Sequence, residues 1–273
     1  MSEEYRNTEY QNNEGIRLNK WIADSGYCSR READRLIEEK KVMLDGRVGT
    51  LGDRVMPGMK VTVNGKVLGR HTHKVYIALN KPEGIVCTAD PREPMNVVEY
   101  VGHNERIFPI GRLDKDSSGL LLMTNDGDFS NAVMHPTHHV PKLYRVTLRS
   151  PMSEEQKLKF EEGIVLDGRR TAPALVNIVS SAADRCVVEI TLYEGRNRQI
   201  RRMCEALGLE VARLRRNAVG KVKLGMLPVG NWRYLTPDEV KNLVMATGVT
   251  KKIAAGYIKY GREPDRDYHT ARR

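Results

Sequence analysis

Aromatic residues are scarce in this chain of 273 residues: they make up 6%, with only three phenylalanines and two tryptophans, so any core must be built mainly from aliphatic side chains. Cysteine is equally sparse. Cys28, Cys87, Cys186 and Cys204 lie far apart with no C-x-x-C pair, which argues against a zinc ribbon or a disulfide framework and fits a reducing compartment. No apolar run approaches the roughly 18 residues of a membrane helix, and the first fifteen residues are polar rather than signal-like. A cytoplasmic protein with no membrane attachment is expected. The phosphate loop GxxxxGK[ST], the zinc motif HExxH and the nucleophile elbow GxSxG are all missing. His135, His138 and His139 cluster, but no cysteine or carboxylate stands at ligand spacing beside them. Neither a cofactor nor a metal is expected.

What is present is positive charge. The formal net charge is +10, with hydrophobic residues at 40% and charged residues at 29%, enough apolar material for an ordinary core. The basic excess is concentrated in residues 16–74, 193–223 and 251–273, with a nearly balanced middle. Separated basic patches suit a polyanion that runs over several surfaces, although solvated helix faces would give the same arithmetic.

The patterning divides the chain. Leu18, Trp21 and Ile22 mark a short amphipathic helix closed near Gly26. Ser29 begins a second as N-cap, with Glu32 placed for a capping box and Ala33, Leu36 and Ile37 as its apolar face. Strand-like pieces with Asp45-Gly46 and Asn64-Gly65 turns follow. From Val75 onward, alternating strands (Val75–Leu79, Tyr144–Leu148, Val188–Leu192) mix with helical stretches around 128–134, 153–162, 198–207 and 237–246. The rhythm is not strand–helix–strand, so an α+β fold with a mostly antiparallel mixed sheet is expected. The boundaries read as a small domain over 16–74, a larger one over 75–250 and a basic tail over 251–273.

Three segments could carry chemistry. The first is the turn Asn80-Lys81-Pro82-Glu83-Gly84. The second is GRLDKDSSGLLLMTNDG over 111–127, a loop holding Arg112, Asp114, Asp116 and Ser117 ahead of an apolar strand; such loops often bear catalytic groups, and an Asp-rich structural turn is the plain alternative. The third is YEGRNRQIRRMCEALG over 193–208. Its Ile200, Met203, Cys204 and Leu207 form an apolar helix face beside Arg198, Arg201 and Arg202. These arginines could make ordinary i,i+4 surface pairs, or one could ion-pair with a carboxylate from another segment and keep it ionised.

Together these strings and KLYRVTL at 142–148 resemble the RsuA-type branch of bacterial rRNA pseudouridine synthases. The stretch RLNKWIADSGYCSRREADRLIEEKKVMLDG resembles the S4-type RNA-binding module that precedes the catalytic domain in that branch. The resemblance implies an isomerase that converts uridine to pseudouridine in ribosomal RNA, with 23S RNA of the large subunit favoured over 16S RNA or tRNA. A non-catalytic RNA-binding assembly factor is the alternative from another class. It implies Asp114 as the catalytic residue, Tyr144 as the ring that stacks on the target uracil, Arg201 as the partner of Asp114, and Arg112 as an aid to base flipping. For RNA binding, Arg17, Lys20, Arg30, Arg31, Lys40 and Arg47 are the candidates in the first module, and Lys81, Arg198 and Arg202 in the second, with a structural role as the alternative for Lys81. The partner is RNA, a ribosomal stem-loop or an assembly intermediate, and the chain is expected to act as a monomer. One carboxylate can serve either as nucleophile at the sugar or as base toward its neighbouring carbon; the residues leave both routes open.

Overall fold

The computed structural model describes residues 15–69, 73–90, 92–180, 186–248 and 269–270; apart from His269 and Thr270, the basic tail lies outside the described residues. The chain divides into two compact units, Met1–His73 and Lys74–Arg273.

In the first unit, helices Leu18–Asp24 and Arg30–Glu38 pack over a four-stranded antiparallel sheet. Leu18, Ile22, Ala33, Ile37, Val42, Leu44, Val61 and Val63 form one aliphatic core. Ser29 Oγ accepts from Glu32 N at 3.1 Å, as the N-cap pattern requires. The reciprocal half of the capping box is not made, because the Glu32 carboxylate engages Arg35 one turn on. The two turn dipeptides behave as hairpin chemistry dictates: Asp45, Gly46, Asn64 and Gly65 all take positive φ, which matches the twist of the flanking strands.

The second unit is built on a ten-stranded sheet. Its main path runs Leu175–Ile178, Val187–Leu192, Lys142–Leu148, Val211–Val219, Ser118–Thr124, Tyr76–Lys81, Asn231–Tyr234 and His269–Thr270. Among the described residues every strand pairing of this sheet is antiparallel except one: Val211–Val219 runs parallel to Ser118–Thr124, with Arg215 opposite Ser118 and Arg216 opposite Gly119. This junction joins the two halves of the sheet. Gly119 sits there with φ +101, and a β-carbon on it would meet Arg216 O at 2.3 Å and Arg216 N at 2.7 Å. Only glycine permits that approach.

Aliphatic residues fill both faces. On one, Tyr76, Ala78, Leu120 and Leu122 receive helices Gly127–Met134 and Pro237–Ala246 through Phe129, Val133, Val240 and Leu243. On the other, Val146, Val188, Ile190 and Leu214 receive helices Glu154–Glu162 and Gln199–Ala206 through Phe160, Ile200, Met203 and Cys204. Further along this face lies a third cluster around Ile77, Leu79, Leu121 and Met123. Tyr144 touches both of the last two clusters and marks the gap between them.

Candidate active site

The loop Gly111–Ser117 lies between the strands Phe108–Ile110 and Ser118–Thr124, beside the parallel junction. It is tied down from below. Ser117 N donates to Asp114 O at 3.1 Å, Gly84 N donates to Lys115 O at 2.8 Å, and Leu113 N donates to Cys87 Sγ at 3.4 Å. Lys81 is wholly buried, and its Nζ donates to Pro82 O and Ser117 O, both at 2.8 Å. Burial pushes this ammonium below its usual pKa. The expectation that Lys81 grips RNA is therefore corrected, and the structural alternative is the one its contacts match. Its ammonium is spent on two carbonyls inside the fold, where it clamps the Pro82 turn to the end of the loop.

Opposite the loop stands the N-terminus of the helix Gln199–Ala206. Arg198 precedes it as N-cap with φ 46, a left-handed conformation that side-chain-bearing residues seldom take. The preceding turn is braced: Arg196 N donates to Gln199 Oε1 at 2.9 Å, Gln199 Nε2 to Glu194 Oε1 at 2.8 Å, and Ala172 N to the same Glu194 oxygen at 3.0 Å. So held, Arg198 reaches the loop. Its Nη1 lies 3.6 Å from Asp114 Oδ2 and 3.3 Å from Asp116 Oδ1.

Arg201 takes a different partner from the one expected. Its Nη2 donates to the Asp116 backbone carbonyl and lies against Asp116 Oδ2, each at 3.1 Å, while Nη1 donates to Val211 O at 3.2 Å. Among the described residues it makes no ion pair with Asp114. The reason is helix geometry. Residue 201 lies inside the helix and its guanidinium meets the loop at Asp116, whereas the turn at residue 198 lets its side chain bond Asp116 at 3.3 and 3.5 Å and reach on to Asp114. Arg202 is occupied elsewhere, in a two-point pair with Asp167 at 2.6 and 2.9 Å.

Between loop and helix opens a solvent-open cleft, lined among others by Arg112, Asp114, Tyr144, Leu192, Arg198 and Leu214. The structure thus brings Arg112, Asp114, Tyr144 and Arg198 together, and places Arg201 one step behind them. Asp114 is partly exposed, at 30% of its side chain, and Arg112 is exposed. The half-buried Tyr144 ring has the buried Arg216 guanidinium 6.0 Å from its centroid, on the strand next door. Leu192 and Leu214 form apolar walls that the motifs had not singled out; both face the cleft because they share the sheet face of Tyr144. A planar ring of uracil size could lie on Tyr144 between these leucines, with a carboxylate and a guanidinium at its edge. Among the described residues, no group of three or more His, Cys, Asp or Glu is placed to hold a metal.

In the first unit, Arg17, Arg30, Arg31 and Lys40 are exposed and make no ion pair among the described residues. Lys20 pairs with Asp24 at 2.6 Å and Arg47 with Asp53 at 2.8 Å. Hydrogen bonds from Arg47 and from Thr50 N hold the Asp53 carboxyl well below the usual carboxylate range. No helix among the described residues is long and apolar enough to cross a membrane.

Comparison with known proteins follows the same division. Residues 16–61 match the S4 domain, and residues 75–206 match the family described as RNA pseudouridylate synthase. The dual-specificity RNA pseudouridine synthase RluF of Escherichia coli K12 is 46% identical over 230 residues, covering 84% of this chain and 78% of the relative. The ribosomal large subunit pseudouridine synthase B of Bacillus subtilis is 43% identical over 232 residues, covering 83% and 95%. A crystal structure of a pseudouridylate synthase superposes with a TM-score of 0.62 at 32% identity, covering 84% of this chain and all of the other.

Proposed function

This chain belongs to the RNA pseudouridine synthase family and carries an S4 domain, and from that membership we propose that Asp114 isomerises a flipped-out uridine of large-subunit ribosomal RNA in the cleft beside Tyr144 and Arg198. The observation that supports the assignment is the position of Asp114. It stands at the cleft mouth within ion-pair reach of Arg198, at 3.6 Å, with the Tyr144 ring lining the same space.

The reaction neither gains nor loses atoms. The bond from the sugar to uracil N1 breaks, the ring turns, and the sugar rejoins through C5; C5 gives up a proton and N1 takes one. Whether Asp114 attacks the sugar or removes a proton from its neighbouring carbon, the step needs an ionised carboxylate in a site that excludes bulk water. The Arg198 guanidinium, 3.6 Å from Asp114 Oδ2, sets a positive charge beside that carboxylate. Flipping the base costs a few kcal/mol, least for an unpaired nucleotide. Stacking on Tyr144 offsets about 1–3 kcal/mol of it. Arg112, exposed and lining the cleft, fills the gap left in the RNA stack in this scheme. The exposed cations of the S4 unit supply backbone grip, which positions RNA without reading its sequence. A single copy of the chain contains every group this scheme uses, so it acts as a monomer, on free ribosomal RNA or on an assembly intermediate.

The test is a pseudouridine map of total rRNA and tRNA from cells lacking the gene, complemented with wild type or Asp114→Asn. One site in large-subunit RNA is expected to be lost and to return only with wild type. Its return with Asp114→Asn would reject the catalytic assignment, and a lost site in 16S RNA or tRNA alone would reject the substrate.

A further inference from the structure

The cleft uses one face of the sheet; the reverse face at its far end is open. In Lys142–Leu148, Tyr144 and Val146 point to the cleft side together with Arg216 and Leu214 across the register. Alternation then sends Arg145 to the other side with Arg213 and Arg215. Around Ser118–Thr124 that reverse side is covered by the helices Gly127–Met134 and Pro237–Ala246. Toward the edge strand Leu175–Ile178, Arg145, Asn177, Arg213 and Arg215 are exposed.

Two features of this surface are at odds with folding needs alone. Arg145 stands directly opposite Arg215, and like charges so placed repel. None of the three guanidiniums makes a hydrogen bond or an ion pair among the described residues, although arginines elsewhere on this unit find carboxylates, as Arg149 does with Glu210 and Arg202 with Asp167. Glu189, across from Arg145 on its other side, is the one acidic residue of the patch among the described residues. Arg213 and Arg215 are two residues apart on one strand, hence about 7 Å, and Arg145 stands about 5 Å from Arg215 and about 7–8 Å from Arg213. Three adjacent guanidiniums with free donors form a receptor for successive phosphates.

We propose that this reverse face is a second RNA-binding surface, which holds the phosphate backbone of RNA flanking the target while the target uridine occupies the cleft on the other side. The proposal rests on the RNA-substrate reading and extends it. The two surfaces lie on opposite sides of one sheet, so only an RNA long enough to pass around the edge strand can touch both.

The experiment uses the full chain with Arg145→Gln, Arg213→Gln and Arg215→Gln combined, and in-vitro-transcribed large-subunit ribosomal RNA as probe. Binding is measured between roughly 50 and 200 mM KCl, with the single-turnover rate taken at saturating RNA. The expected result is at least a tenfold loss of affinity at about 0.1 M salt and a log–log salt slope shallower by about two, since each lost phosphate contact removes roughly 0.7–0.9 from it. The saturating rate stays at the wild-type value, which separates failure of this proposal from failure of the Asp114 assignment. A control with Arg149→Gln, Lys157→Gln and Lys159→Gln removes the same charge from residues already paired with glutamates. An unchanged slope in the first variant, or an equal loss in the control, overturns the proposal. Should the triple variant melt below wild type, Arg213→Gln alone, which faces Thr147 rather than another cation, is expected to shorten the slope by about one; no change there likewise overturns it.

Discussion

Arg201 binds Asp116 at both its carbonyl and its carboxylate, while Arg198, three residues earlier, is the guanidinium that reaches Asp114. The two arginines therefore divide the work that sequence reading had assigned to one. Arg201, with its side chain only 15% exposed, fastens the helix to the loop, while Arg198, 45% exposed, adds longer contacts to the exposed Asp116 carboxylate at 3.3 and 3.5 Å and faces the cleft.

That division predicts different phenotypes. Arg198→Gln is expected to lower kcat ten- to a hundredfold, the equivalent of losing about 1–3 kcal/mol of charge-assisted interaction, with a melting temperature close to wild type. Arg201→Gln is expected to lose about 2 kcal/mol of stability as well as activity, because three contacts go at once and carbonyls are left without donors. Urea unfolding and single-turnover assays on both variants check this; equal stability of the two would refute it.

Lys81 is a buried cation bonded to Pro82 O and Ser117 O. Lys81→Met preserves the chain length of the side chain and removes both bonds. A loss of about 3 kcal/mol is expected, with unchanged RNA affinity at temperatures where the variant remains folded. Filter binding together with thermal melts decides the matter: weakened RNA affinity in the folded variant would restore a direct RNA contact.

At the parallel junction, Gly119→Ala forces a β-carbon against Arg216 O and N in a backbone conformation that alanine resists. The strain and the clash together are expected to cost at least about 3 kcal/mol, and to abolish activity as the loop shifts. Gly46→Ala in the S4 unit also sits at positive φ, but nothing lies within 4 Å of its added carbon. It is expected to cost only about 1 kcal/mol. Comparing the two melts isolates the close approach from the backbone preference.

Lys142 is pushed down to about 8, mainly by burial and then by the charge of Arg216. Its unfolded value is 10.5, so between pH 8 and 10.5 the unfolded chain binds more protons and this residue's penalty fades as pH rises. Below pH 8 the penalty is present in full. Lys142→Met is accordingly expected to raise the melting temperature at pH 7, with the gain shrinking steadily from pH 8 toward 10. A gain that persists undiminished at pH 10 would contradict the burial of that charge.

Much of this molecule follows from local chemistry written in adjacent residues. Hydrophobic alternation sets the long strands, Ser29, Ser153 and Thr236 open their helices as N-caps, and the two turn dipeptides close their hairpins at positive φ. The Asp114 loop and the Tyr144 strand were legible as motifs for the same reason, since each lies within a short continuous string. What the sequence could not determine is which distant groups meet. That Arg198 rather than Arg201 faces Asp114 depends on a left-handed turn braced by Glu194 and Gln199. That Lys81 turns inward depends on two carbonyls waiting for it, and that Leu192 and Leu214 wall the cleft depends on cross-strand register. The parallel pairing of Val211–Val219 with Ser118–Thr124 joins residues almost a hundred positions apart. Only the assembled sheet decides such pairings, because they are chosen by burial and donor satisfaction over the whole unit and not by any local preference of the chain.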